Sequence, residues 1–173
     1  MNIRRFRFFL CVLCLVLLSA CSRSDQGEHT PRGNLQRTGV YAGSTVNLSQ
    51  LAWETGGAAY VEAAPAVANG TVIWAGRDRL VRATDLESGH AVWQTLLDGG
   101  VLGSPVIVKG EVFIATEAGS LYRLALATGE IAAQIAVGSP LTTSPLVYGS
   151  RVVVGCRDGS LRTFDIARES QVW

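Results

Sequence analysis

The groups able to do chemistry are few and scattered. The 173 residues hold two histidines, one lysine and four cysteines. His29 stands alone in a polar stretch. His90 has no Cys, Asp or Glu partner at a repeated ligand spacing, so neither histidine reads as a metal ligand. Lys109 lies in a Lys-Gly turn, a poor setting for the desolvated amine that a Schiff base needs. Asp98-Gly99-Gly100 is a glycine turn with no helix after it, which excludes a phosphate loop. Cys156 ends the apolar run Val152–Cys156 and reads as a buried structural thiol. Arg77-Asp78 and Arg157-Asp158 read as solvated turn pairs of little energetic weight, which a rim could present to a partner. Asp85 and Asp165 are the candidates for a general base, but each precedes a turn whose amides a carboxylate can accept. The structural reading is preferred for both. The sequence therefore assigns no catalytic, cofactor-binding or metal-binding residue. The remaining reactive group is the thiol of Cys21.

The apolar run Phe8–Leu18 follows the basic start Met1–Arg7. At 11 residues it is shorter than the ~20 of a membrane span, and a basic start before a short apolar core marks an export signal. Cys11 and Cys14 sit inside this core and leave with it, so their spacing is no redox motif. The run closes on Leu18-Ser19-Ala20-Cys21, which resembles a bacterial lipobox. That resemblance implies a leader over residues 1–20, cleavage before Cys21, and a lipid on the Cys21 thiol. A multiply acylated terminus anchors stably. Ser22, in place of an Asp, implies the outer rather than the inner membrane, facing the periplasm. Loss of the leader removes three arginines and leaves 12 basic against 14 acidic side chains. Neither that balance nor the full-chain charge of +1 is a footprint for nucleic acid. Hydrophobic residues at 48% and charged residues at 17% exclude a disordered polar chain. Ser22–Arg32 is polar and aperiodic and reads as a tether. Residues 21–50 form the lipidated Cys, tether and lead-in segment, and 51–173 form the folded body.

The elements that must position any site recur every 40 residues. Ala64-Pro65, Ser104-Pro105 and Ser144-Pro145 share one column. Trp53, Trp93 and Trp173 share another, where Ala133 replaces one indole. Val72, Val112 and Val152 keep the same register, as do Val81, Leu121 and Leu161. Gly70 and Gly110 align, with Gly149 one place early. Gly89 and Gly129 align, with Glu169 in the third unit. The units are 51–90, 91–130 and 131–173. Turn residues within each predict four short strands. In the second unit these are Pro105–Val108, Glu111–Thr116, Ser120–Leu126 and Ile131–Val137. Four strands in about 40 residues make one propeller blade. A periodic indole at the start of a last strand can fill the wedge between blades.

Ala83-Thr84-Asp85-Leu86-Glu87-Ser88-Gly89-His90-Ala91-Val92-Trp93 resembles the Ala-x-Asp-x-x-Thr-Gly-x-x-x-Trp docking motif of the pyrroloquinoline quinone-like (PQQ-like) β-propeller family. Arg32–Tyr41 is similar to the segment that precedes such repeats. The second unit keeps Thr128-Gly129 but has Ala125 and Ala133. The third keeps Asp165 and Trp173 but has Glu169. Arg157–Asp165 is also similar to the last strands of WD40 repeats, whose Gly-His start is missing here. The resemblance implies an all-β propeller of four-stranded blades. For the quinone-dependent dehydrogenases of the family it implies a quinone and a Ca²⁺-like ion on the propeller axis, with a catalytic Asp. The vicinal cysteine pair common in those enzymes is absent here. The lipobox and repeats together resemble the outer-membrane barrel-assembly lipoproteins of the B type. This implies a non-enzymatic scaffold without cofactor that binds a periplasmic or outer-membrane protein. A dehydrogenase fragment is the alternative. Three units fall short of the roughly four to eight blades of a closed propeller. The sequence is accordingly expected to be a piece of a longer protein, with ring closure by self-association as the other possibility.

Overall fold

The computed structural model describes residues 51–57 and 60–173. The leader, Cys21, His29 and the Arg32–Tyr41 segment lie outside the described residues. Among the described residues there are twelve strands and no helix. The first sheet comprises β1 (Ala66–Ala68), β2 (Thr71–Ala75), β3 (Leu80–Asp85) and β4 (Ala91–Leu96). The second comprises β5 (Val106–Val108), β6 (Glu111–Ala115), β7 (Ser120–Ala125) and β8 (Ile131–Ala136). The third comprises β9 (Leu146–Tyr148), β10 (Arg151–Gly155), β11 (Leu161–Asp165) and β12 (Ser170–Gln171). Each sheet is antiparallel and runs in chain order from first strand to fourth. The expected strands of the second unit end within a residue or so of β5–β8. The sheets are offset from the 51–90, 91–130 and 131–173 units by one strand, because the fourth strand opens each sequence unit.

Turn chemistry sets the hairpins. Asn69-Gly70 and Lys109-Gly110 both have two positive φ angles, the type I′ geometry that matches strand twist. In the matching β9–β10 turn of the third sheet only Gly149 is positive, at +60°. A first-position glycine suits type II′, which is why that glycine stands one place early.

The core lies between the sheets. Alternate residues of one strand face opposite neighbours. Val112 and Ile114 of β6 pack with Ile73, Val81 and Ala83 of the first sheet. Phe113 and Ala115 of the same strand pack with Val152, Val154 and Phe164 of the third. A strand covered on both faces needs apolar residues at nearly every position, and Glu-Val-Phe-Ile-Ala is such a strand. The first strands β1, β5 and β9 lie beside one another, so the sheets converge there and fan outward like blades around an axis.

Candidate functional site

The repeated chemistry of this chain is spent at the seams between blades. Trp93 Nε1 donates to the carbonyl of Leu126 in the next blade at 2.9 Å. Thr95 Oγ1 donates to the Gly129 carbonyl at 2.6 Å. A methyl group on Gly129 would stand 2.4 Å from Trp93 Cε3, so the indole lies directly on that glycine. Gly129 also has φ +72°. Trp53 repeats the arrangement one unit earlier, with its Nε1 donating to Leu86 O at 2.8 Å and its ring over Gly89.

Further contacts show what residues 51–57 and 60–64 are. Arg82 Nη2 donates to Gly57 O at 3.1 Å, and Arg162 donates likewise to Val137 O, two repeats on. The Arg77 amide donates to Tyr60 O at 3.3 Å, as Glu117 does to Gly100 O and Arg157 to Pro140 O, each at 2.8 Å. The Ser-Pro column forms a ladder. Ser104 Oγ accepts the Ala64 amide at 3.1 Å, and Ser144 Oγ accepts the Ser104 amide at 2.8 Å. Residues 51–57 and 60–64 therefore take the place of a fourth strand and connecting loop ahead of the first blade.

The seam between the second and third blades is built differently. Ala133 supplies no indole, and the glycine column holds Glu169 at φ +50°. Arg123 fills the gap, pairing with Glu111 at 3.3 Å and Glu169 at 3.2 Å. Beside them, Phe113, Phe164 and Ile166 close the space to about 10 Å³, room for about one water. An aromatic dock has been exchanged for an ion pair. Sequence reasoning missed this pair, because Arg123 and Glu169 are 46 positions apart.

The two candidate bases are turn acceptors. Asp85 Oδ1 accepts the Ser88 amide at 2.8 Å and the Ser88 hydroxyl at 2.6 Å. The hydroxyl bond is the main cause that holds this carboxyl below the usual range. Asp165 Oδ1 accepts the amides of Ala167 and Arg168 at 3.1 and 2.9 Å. His90 and Lys109 are exposed, and Cys156 is a buried free thiol. The expected Arg-Asp turn pairs are re-partnered. Arg77 bonds Glu62 at 3.0 Å. Asp78 bonds Arg82 at 2.5 Å, and Asp158 bonds Arg162 at 2.6 Å. The reason is geometric, since residues four apart meet across the tight hairpin while adjacent ones diverge. The Arg82 guanidinium also lies 4.9 Å over the Trp74 ring, a cation–π contact. Its bond to Asp78 is the main cause that holds the Asp78 carboxyl low. Asp98 carries a cluster with no local sequence signal. Its carboxylate accepts from Thr116 at 2.9 Å, Ser120 at 2.5 Å and Gln134 at 3.3 Å. Burial, reinforced by the Asp98 charge, raises the nearby Tyr122 phenol.

Among the described residues no three His, Cys, Asp or Glu side chains converge to hold a metal ion. The inner strands β1, β5 and β9 read Ala-Val-Ala, Val-Ile-Val and Leu-Val-Tyr, with no carboxylate among them. These residues do not fit a quinone–metal pair. What the arrangement does is join sheets. Leu146, Tyr148, Leu161 and Trp173 are exposed on the third blade.

Three four-stranded sheets joined by docked seams define a β-propeller architecture. Residues 77–173 match the family described as outer membrane protein assembly factor BamB, and the chain belongs to that family. It is 28% identical over 174 residues to the outer membrane protein assembly factor BamB of Shewanella oneidensis, covering 93% of this chain and 44% of that one. The chain thus spans less than half the length of that relative. The crystal structure of BamB from Moraxella catarrhalis superposes with a TM-score of 0.56 at 22% identity, over 65% of this chain and 36% of that one. Quinohemoprotein alcohol dehydrogenase from Comamonas testosteroni gives 0.72 at 21% identity, over 87% of this chain and 28% of that one. Both structural likenesses are of fold.

Proposed function

We propose that this chain belongs to a lipid-anchored envelope protein whose propeller binds other proteins during the assembly of outer-membrane proteins. The observation that carries the reading is the family match over residues 77–173. The Leu18-Ser19-Ala20-Cys21 sequence supports an anchor on the Cys21 thiol, and Ser22 supports the outer membrane, on its periplasmic side. The geometry agrees with a scaffold rather than an enzyme, since its polar side chains hold turns and seams. The partner is a periplasmic or outer-membrane protein, and neither nucleic acid nor a cofactor is called for.

The test is binding of the purified chain to the isolated barrel-assembly complex, read by surface-immobilised titration. Saturable binding supports the scaffold reading, and no binding at any concentration overturns it. A dehydrogenase fragment is the second reading, and the quinohemoprotein shares its fold with this chain at a TM-score of 0.72. Equilibrium titration with pyrroloquinoline quinone and Ca²⁺ separates the two. Saturable micromolar binding would favour the dehydrogenase.

A further inference from the structure

Among the described residues, β4 of the first blade pairs with β3 alone. The Leu97 amide donates to Arg79 O at 2.8 Å. Antiparallel pairing then alternates inward and outward residues along the strand. Trp93 and Thr95 turn their amides and carbonyls to β3, so those of Gln94 and Leu96 point away from the sheet. Sheet edges are normally blunted by charge or proline. β4 reads Ala-Val-Trp-Gln-Thr-Leu and has neither, and Val92 and Leu96 are 53% and 58% exposed. β8 of the second blade, Ile-Ala-Ala-Gln-Ile-Ala, repeats the composition.

A groove opens beside this edge. The β3–β4 register slips between Ala83 and Thr84. That bulge makes Val92 the extra residue and re-aims its side chain. Val92 lines a cavity of about 270 Å³ with Asn69, Thr71, Gly110, Leu126 and Ala127, the liquid volume of about nine waters. Edge and groove together define the occupant. The complement of outward amides and carbonyls in alternation is another extended backbone, and a pocket beside them takes one of its alternate side chains. We infer that β4 takes up an extended strand of a partner protein, hydrogen-bonded to the backbone of Gln94 and Leu96, with one large apolar side chain in the Val92 groove. The site stands on the edge itself. That the strand belongs to an outer-membrane protein before it folds rests on the scaffold reading.

Titration of the full chain in mild detergent with a fluorescein-labelled peptide tests this. The peptide alternates valine and threonine around one phenylalanine. Its control carries proline at every second position, which cannot donate. The alternating peptide binds saturably, and the proline peptide binds at least about tenfold more weakly. Hydrogen exchange of the Gln94 and Leu96 amides is fast in the free chain and slows on binding. Gln94→Pro deletes one outward donor at a position where an edge strand tolerates proline, and weakens binding about tenfold, as does Val92→Lys at the groove. Val92 is exposed, so its variant keeps the wild-type melting temperature. Absence of saturable binding overturns the proposal, and so does equal binding of the proline peptide. Slow exchange of both amides without peptide overturns it too, and gives the edge to another segment of this chain or, where dilution speeds exchange, to a second copy. A chain that binds the isolated barrel-assembly complex but not the peptide loses the strand site alone. One that binds the peptide but not the complex keeps the strand site and loses the scaffold reading.

Discussion

The indole of Trp93 can dock because position 129 has no side chain. Two demands meet there, a φ of +72° and a ring where a Cβ would stand. Gly129→Ala is expected to cost at least about 2 kcal/mol, from left-handed strain plus the clash. Trp93→Ala is expected to cost about 2–3 kcal/mol, less than a fully buried indole. The double variant should cost less than the sum, because the clash vanishes with the ring. Urea unfolding of the four proteins measures this, and strict additivity would contradict the direct contact. The Asp78 carboxyl gives a pH signature. Its folded pKa lies below its unfolded value, chiefly through the Arg82 hydrogen bond. Its contribution is therefore complete above the unfolded pKa of about 4 and is lost as pH falls through the folded value. Thermal melts should show Asp78→Asn flattening the fall in stability below about pH 4 relative to wild type.

At the scale of elements, each seam is a set of matched choices. Where Trp gives way to Ala133, Gly gives way to Glu169 and Arg123 crosses between them. Ala133→Trp alone should destabilise by about 1–3 kcal/mol through overpacking. Adding Glu169→Gly and Arg123→Ala should recover most of that loss in the same unfolding assay. The serine ladder makes a smaller prediction. Ser144→Ala leaves the Ser104 amide without its acceptor, costs about 1 kcal/mol and speeds exchange of that amide hydrogen. Much of this architecture was legible in the sequence. Strands were bounded by glycine hairpins at fixed offsets, and the Trp and Asp columns announced a docked indole and a capped turn. The Asp98 cluster, the Arg123 bridge and the choice of Arg82 over Arg77 by Asp78 were not. Those partners are fixed by cross-strand register and by contacts between sheets, which no local pattern encodes. The one-place shift of Gly149 is a change of turn type.

At the scale of the whole molecule, three blades are joined by repeated seams, and among the described residues no three His, Cys, Asp or Glu side chains converge to hold a metal ion. Family membership rests on residues 77–173, while the anchor rests on a few residues around Cys21, outside the described region. The account depends on both ends acting together, an adhesive propeller held at a membrane. The most direct measurement takes the native protein from separated inner and outer membranes and weighs its N-terminal tryptic peptide, Cys21–Arg23. The account predicts an outer-membrane protein whose peptide carries diacylglycerol and a further acyl group. It also predicts that Cys21→Ser releases the protein from the membrane. An unmodified peptide, or a wild-type protein recovered free of membrane, would contradict it.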